Sequence, residues 1–176
     1  HMYVHPQNVD KLYKDYGKGR PFFEIEYLSG PSVGNLPAYW DVFESREFAH
    51  GGFIWEWLDA ALHKKAPNGK VFDAYGGDFG DKPNDRSFVC LGLVSTDRVP
   101  HPQLQEVKKV YQPIVVTAHD QTFGTITIRN KNLFQDLSYT SLLWELTEDG
   151  VVIKKDNIPM PAVQPGEERK LELPRL

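Results

Sequence analysis

Three segments of the sequence combine residue types that suit the binding and chemistry of a sugar. Residues 20–27 form an apolar stretch that predicts a buried strand, and this strand delivers a carboxylate, Glu26, to its C-terminal end. Residues 51–59 and 75–86 are rich in aromatic, glycine and acidic residues. Sugar rings stack on aromatic faces, and carboxylates accept hydrogen bonds from sugar hydroxyls. The three segments together predict a carbohydrate site that contains a carboxylate.

Glu24 and Glu26 raise the question of a carboxylate pair on one strand. Residues two apart on a strand share a face, so the two side chains are expected to project together from Cα atoms roughly 6.5–7 Å apart. Such a pair would suit an inverting glycosidase, although one strand rarely supplies both faces of a sugar ring. The alternatives place Glu24 one layer deeper in a barrel or toward solvent, and treat Glu26 as an ordinary carboxylate at a strand end.

Two tryptophans and an acidic loop are further candidates for ligand contacts. Trp55 and Trp57 are expected on one face of a strand, where the first would reach the substrate and the second would pack in the core. The loop at residues 75–86 contains Asp78, Asp81 and Asp85 beside glycines, which is compatible with a bound cation. The spacing of these aspartates does not fit an EF-hand.

The order of predicted elements favours a strand–helix–strand unit around these residues. A helix is expected over residues 8–16, with Asn8 as its cap, and it is followed by the strand that ends at Glu26. A second helix over residues 36–48 and a second strand over residues 53–58 complete the unit of a parallel α/β sheet or barrel. Residues 63–103 are expected to form a long connection with short strands.

The periodicity changes from about residue 111, where alternating and β-branched segments are separated by turns. Short strands of this kind predict an antiparallel β-sandwich. We place the domain boundary after residue 109, which gives domains of residues 1–109 and 110–176. The short strands expected in the connection lie at residues 71–72 and 88–93, and those of the sandwich lie at residues 114–117, 125–129, 139–146, 151–154 and 169–173.

Composition excludes several other classes of protein. The formal net charge is −4, and no run of basic residues interleaves with aromatics, so nucleic acid is not an expected partner. No segment has the uninterrupted apolar length of a membrane span. The single cysteine, Cys90, excludes an internal disulfide and a multi-cysteine metal site, and we expect it to be a small buried residue.

Long stretches of the sequence resemble the glycoside hydrolase family 2 enzymes of the β-galactosidase type. The resemblance rests on residues 51–59, 75–86 and 97–102 and extends roughly from Met2 to the end of the chain. It implies the C-terminal part of a (β/α)8 (TIM) barrel, followed by a partial immunoglobulin-like antiparallel β-sandwich. It also implies a fragment of a retaining exo-β-glycosidase that acts on terminal β-galactosides.

The resemblance assigns roles to individual residues. Glu26 matches the catalytic nucleophile, and Trp55, Phe88 and Tyr27 match substrate-binding positions. The backbone carbonyl of Phe88 matches a ligand of a sodium ion, whereas Leu91 stands where the family has a second, asparagine ligand.

Other parts of the family's site are missing or altered. The family's acid/base carboxylate and the ligands of its magnesium ion precede the nucleophile on earlier barrel strands that this sequence does not include. Ser29 replaces a histidine that contacts the sugar, which is expected to weaken the selection of galactose.

These assignments imply the partners of the chain and the activity of the fragment. The expected partners are a β-galactoside or related glycan, the remaining barrel segments of the parent enzyme, and further copies of this chain through open strand edges. The isolated fragment is expected to be inactive, because it lacks the proton donor. The family resemblance implies a bacterial cytoplasm or periplasm. The alternative is a carbohydrate-binding or structural module without catalysis.

Overall fold

A computed structural model describes the chain over residues 1–120 and 124–173. The chain divides into two compact units, His1–Tyr111 and Gln112–Leu176. The division falls at the end of helix α3 (Gln103–Tyr111). Over the described ranges, no helix is both long and apolar enough to cross a membrane.

The first unit begins with a short helical segment of mixed geometry. A 3-10 turn (Pro6–Asn8) leads into the α-helical turn α1 (Val9–Leu12), and a π-helical turn (Tyr13–Gly17) follows. The helix predicted over residues 8–16 is thus confirmed in position, but Asn8 makes no capping hydrogen bond. Lys18 ends the segment in the left-handed conformation, with φ of 51°.

A parallel strand–helix–strand unit follows, as the sequence predicts. Strand β1 (Phe22–Ser29) pairs in parallel with β2 (Ala49–Trp55), and helix α2 (Leu36–Ser45) connects them. The predicted strand at residues 53–58 was placed too late along the chain. Gly52 lets the two strands approach, because a Cβ atom there would lie 2.8 Å from Cδ1 of Tyr27.

Residues 1–3 run along the other edge of β1, which the sequence did not predict. The amide of Ile25 donates to the carbonyl of His1 at 2.8 Å, and the amide of Tyr3 donates to the carbonyl of Glu26 at 2.6 Å. Met2 and Glu26 form a parallel bridge. β1 therefore has parallel neighbours on both sides, as an inner strand of a parallel sheet does.

One apolar core holds the first unit together. It is formed by side chains from the N-terminal helical segment, both parallel strands, helix α2 and helix α3. Burial of such side chains contributes about 1.5–3 kcal/mol each, which stabilises the strands that carry the candidate site. The buried members are Val9, Phe22, Tyr27, Val33, Leu36, Tyr39, Phe43, Ala49, Leu93 and Val107.

The long connection between β2 and α3 contains one antiparallel hairpin, β3 (Leu62–Lys65) and β4 (Val71–Ala74). The short strand predicted at residues 71–72 is confirmed as part of β4. The strand predicted at residues 88–93 is wrong, because a turn occupies its beginning. In that turn, the amide of Phe88 donates to the carbonyl of Asp85 at 3.0 Å.

The second unit is antiparallel and rich in β-structure. Strands β5, β6 and β9 form one sheet, and β7 and β8 form another. The five predicted strands are confirmed, with different ends. Ile128, Leu137, Met160 and Val163 form the buried core. The observed bounds are β5 (Ile114–Asp120), β6 (Thr125–Asn130), β7 (Ser141–Glu148), β8 (Val151–Pro159) and β9 (Glu168–Glu172).

Candidate active site

Glu26 lies in the last half of β1, three residues before the strand ends at Ser29. The strand is irregular here, because its pairing with β2 shifts between Glu24 and Leu28. Phe22 and Glu24 are buried, as alternation predicts. The next buried residue is Tyr27 rather than Glu26, which is only partly buried. A β-bulge re-aims side chains in this way. The expectation that Glu24 and Glu26 project together is therefore wrong.

Glu24 is a fully buried carboxylate, with 0% of its surface exposed. Its Oε2 accepts a hydrogen bond from the amide of Val4 at 3.0 Å, whereas Oε1 has no partner within the described part of the chain. Burial raises the pKa of Glu24 to about 7, and the hydrogen bond from Val4 opposes this rise. The alternative in which Glu24 faces solvent is wrong.

The charge of Glu24 acts on residues of the helix-covered face. It raises the pKa values of Tyr27 and Tyr39, although burial is the larger cause for both tyrosines. Tyr27 and Tyr39 are both core residues, so the buried Glu24 carboxylate acts on the core of the first unit. Full burial of Glu24 does not favour an inverting pair in which it would share a substrate with Glu26.

Tyr3 is a candidate site residue that the sequence did not reveal. Burial raises the pKa of its hydroxyl, and a hydrogen bond to the side chain of Glu26 and the negative charge of that carboxylate raise it further. The hydrogen bond from the amide of Tyr3 to the carbonyl of Glu26 keeps the two residues next to each other. No spacing rule predicts the contact, because it depends on the parallel run of residues 1–3 along β1.

Tyr27 occupies the core, with 1% of its surface exposed. Its hydroxyl is hydrogen-bonded to the hydroxyl of Tyr111 and accepts a hydrogen bond from Nε1 of Trp40 at 3.3 Å. Its ring meets the edge of Tyr39 at a centroid distance of 5.2 Å. This location does not favour a direct contact between the Tyr27 side chain and a sugar.

The ends of the two parallel strands converge with a third backbone segment. Ser29 and Trp55 are paired in register, and the amide of Gly30 contacts the carbonyls of Trp55 and Leu91 at 2.8 Å and 3.0 Å. The amide of Glu56 also donates to the carbonyl of Leu91, at 3.1 Å. A Cβ atom on Gly30 would lie 2.2 Å from that carbonyl oxygen, so this crossing requires glycine.

Three aromatic side chains on the segments that meet here are open to solvent. Trp55 ends β2 with 43% of its surface exposed, and Phe88 is 72% exposed in the turn that precedes Leu91. Both are available to stack on a ligand. Trp57 is 62% exposed, so the expectation that it packs in the core is wrong for this chain. It follows the end of β2, so the alternation rule does not apply to it.

The acidic loop uses its side chains to hold its own backbone. Asp78 accepts a hydrogen bond from the amide of Tyr75 at 2.9 Å, and Asp81 accepts from the amide of Gly77 at 3.0 Å. The described residues contain no group of three His, Cys, Asp or Glu side chains that could hold a metal ion. The loop is therefore explained without a cation.

The candidate sodium ligands do not form a site by themselves. The carbonyl of Phe88 is one possible oxygen donor, but the Leu91 side chain is a hydrocarbon and cannot bind a cation. The carbonyl of Leu91 already accepts hydrogen bonds from the amides of Gly30 and Glu56.

Two family models match the chain. "Glycosyl hydrolases family 2, TIM barrel domain" matches residues 1–116, and "Beta-galactosidase, domain 4" matches residues 126–176. The β-galactosidase of Aeromonas hydrophila is 41% identical over 152 residues, which cover 85% of this chain and 15% of that protein. The β-galactosidase of Priestia megaterium is 40% identical over 156 residues, which cover 88% and 15%. The chain thus spans about 15% of the length of the curated relatives it matches.

Proposed function

Because the chain belongs to glycosyl hydrolase family 2, we propose that it forms part of the active site of a retaining exo-β-glycosidase. The substrates we propose are terminal β-galactosides or closely related β-glycosides, as the names of its relatives suggest. The observation that supports this most strongly is the bulge in β1. It separates a partly exposed Glu26 from the buried Glu24.

Glu26 is the nucleophile in this proposal. Its carboxylate oxygen bonds to the anomeric carbon while the glycosidic bond to the leaving oxygen breaks. An acid/base carboxylate from outside this chain gives its proton to that leaving oxygen. The same group then takes a proton from water, which attacks the anomeric carbon and releases Glu26. Two displacements retain the configuration of the sugar.

The neighbours of Glu26 suit this role. The amide of Tyr3 donates to the carbonyl of Glu26, which holds the N-terminal segment beside the nucleophile. Trp55 and Phe88 present exposed rings that can stack on the sugar. Ser29 lies at the end of β1, where a sugar-contacting histidine is expected in the family, so the discrimination between galactose and its analogues is expected to be weaker.

The rest of the parent protein completes the site and the fold in this proposal. β1 and β2 join further barrel strands that lie outside the chain, and those strands bring the acid/base residue and any metal ligands. The two antiparallel sheets of the second unit form an immunoglobulin-like sandwich. When the fragment is alone, its exposed apolar side chains and open strand edges favour self-association.

The isolated chain and the full-length parent protein are expected to differ completely in activity. The parent should release nitrophenol from an aryl β-galactoside, whereas residues 1–176 should show no turnover, because the proton donor is missing. The measurement is a spectrophotometric assay of both proteins at equal molar concentration. A parent that binds galactosides but hydrolyses no β-glycoside would instead support a non-catalytic carbohydrate module.

Trp55→Ala in the parent is expected to weaken substrate binding by about 1–3 kcal/mol, through lost stacking and burial. Trp57→Ala is the matched control, since it removes a second exposed indole two residues later. Competitive inhibition by galactose gives the binding free energies of the two variants. Equal losses for both tryptophans would remove Trp55 from the sugar-binding surface.

A further inference from the structure

The side chain of Asp59 joins three separate parts of the first unit. Its Oδ1 accepts a hydrogen bond from the amide of Gly92 at 2.8 Å, and its Oδ2 accepts one from Nε2 of His101 at 2.9 Å. The Asp59 side chain is only 14% exposed. Hydrogen bonds to an ionised acceptor at such a site are stronger than those between neutral groups. Both carboxylate oxygens are therefore engaged in holding chain segments that are distant in sequence.

The backbone around Asp59 holds the same segment. The amide of Asp59 donates to the carbonyl of Val94 at 3.0 Å, and the amide of Ala60 donates to the carbonyl of Val89 at 2.8 Å. Farther back, the amide of Leu93 donates to the carbonyl of Glu56 at 2.9 Å. Residues 89–94 are thus bound along residues 56–60 by both backbone and side-chain contacts.

Steric fit makes this contact specific to glycine at position 92. A Cβ atom added there would lie 2.2 Å from the amide nitrogen of Asp59 and 2.7 Å from the carbonyl oxygen of Val94. Any larger residue would push residues 89–94 away from Asp59. The close approach and the carboxylate hydrogen bond therefore depend on each other.

Residues 89–94 connect this arrangement to the candidate site. Phe88 immediately precedes the segment, and the carbonyl of Leu91 within it receives the amides of Gly30 and Glu56 at the strand ends. The backbone that directly follows Phe88 is thereby tied to Asp59. His101, the other partner, also donates its amide to the carbonyl of Leu93 at 3.0 Å.

We propose that Asp59, together with His101, is a positioning residue that fixes residues 89–94 and so holds Phe88, the residue directly before them, in place for sugar binding. This inference rests on the proposed glycosidase function for its kinetic consequence, but not for its structural one. Asp59 does not touch the reacting atoms in this account. It acts through Gly92 and His101 on the backbone segment that follows Phe88.

Amide hydrogen exchange on the 176-residue chain tests the structural part. Asp59→Ala is expected to lower the protection of the Leu93 and Val94 amides at least about ten-fold more than that of the β1 amides. The reason is that residues 89–94 would open locally more often without the carboxylate. Asp97→Ala is the matched control. It also removes an aspartate that contacts a histidine, Nε2 of His63 at 2.9 Å, but both of these side chains are exposed. Unchanged protection, or an equal loss at every amide of the first unit, would overturn the proposal.

Kinetics of the full-length parent test the positioning role itself. Asp59→Ala is expected to raise KM for an aryl β-galactoside about five- to twenty-fold with kcat within about three-fold, as for a residue that affects binding alone. Phe88→Ala should do the same, and the double variant should lose less than the product of the single losses. Additive effects or a loss confined to kcat would contradict the proposal. A wild-type parent without hydrolysis would refute only the glycosidase function, since hydrogen exchange decides the structural claim.

Discussion

Glu26→Gln in the full-length parent is expected to lower kcat by about four orders of magnitude or more, because the residue that forms the covalent intermediate is lost. Gln keeps nearly the same shape and size as Glu. It cannot act as an anionic nucleophile. Single-turnover measurements with an aryl β-galactoside give the rate of the chemical step directly.

The matched control is Glu24→Gln, two residues earlier on the same strand. Glu24 is fully buried, so its replacement should leave kcat within a few-fold of wild type. Glu26→Gln with wild-type kcat would show that the nucleophile lies elsewhere. A large loss for both variants would show that β1 does not tolerate substitution at either position.

Glu24→Gln is also expected to change the pH dependence of stability. The pKa of Glu24 is raised from 4.5 to about 7 in the folded chain, so between these values the folded state binds more protons than the unfolded state. The contribution of Glu24 to stability is therefore highest below pH 4.5 and falls as the pH rises to about 7. The loss from this residue is about 3 kcal/mol, from about 1.4 kcal/mol for each unit of pKa.

The measurement is the free energy of unfolding in urea at pH 5 and pH 8, for the wild-type chain and the variant. Glu24→Gln should gain relative to wild type as the pH increases, because glutamine carries no ionisation penalty. Glu26→Gln, with its partly exposed side chain, serves as the control. Parallel pH profiles for wild type and Glu24→Gln would contradict the assignment of a buried, readily protonated carboxylate.

The sequence predicted the arrangement of the first unit well where periodicity and local chemistry decide it. The parallel strand–helix–strand order was evident, and the family membership inferred from residues 51–59, 75–86 and 97–102 is confirmed. The five strands of the second unit were recognisable from their alternation. The family models agree with a TIM-barrel segment followed by a β-rich domain.

Two of the failures, the placements of Glu26 and of Trp57, arise because strict alternation does not survive irregular strands. Because of the bulge in β1, the buried residue that follows Glu24 is Tyr27 and not Glu26. No local pattern in residues 22–29 predicts this change. Trp57 was assigned to a strand that ends at Trp55. Such placements depend on tertiary pairing rather than on local pattern.

The contacts of the candidate site depend on residues that are far apart in the sequence. Tyr3 meets Glu26 because residues 1–3 pair with β1, and Asp59 meets Gly92 across 33 positions. The glycine at position 92 is visible in the sequence, but its requirement follows only from the close approach of two backbones. The spacing of residues along the sequence does not predict contacts of this kind.

Trapping with a 2-deoxy-2-fluoro-β-galactoside tests the central claim most directly. The fluorine destabilises the oxocarbenium-like transition state, so the covalent glycosyl-enzyme accumulates in the full-length parent and can be digested and mapped by mass spectrometry. The account predicts a single label on Glu26, in the tryptic peptide of residues 19–46. A label on Glu24, on a residue outside this chain, or no label in an enzyme that remains active would contradict it.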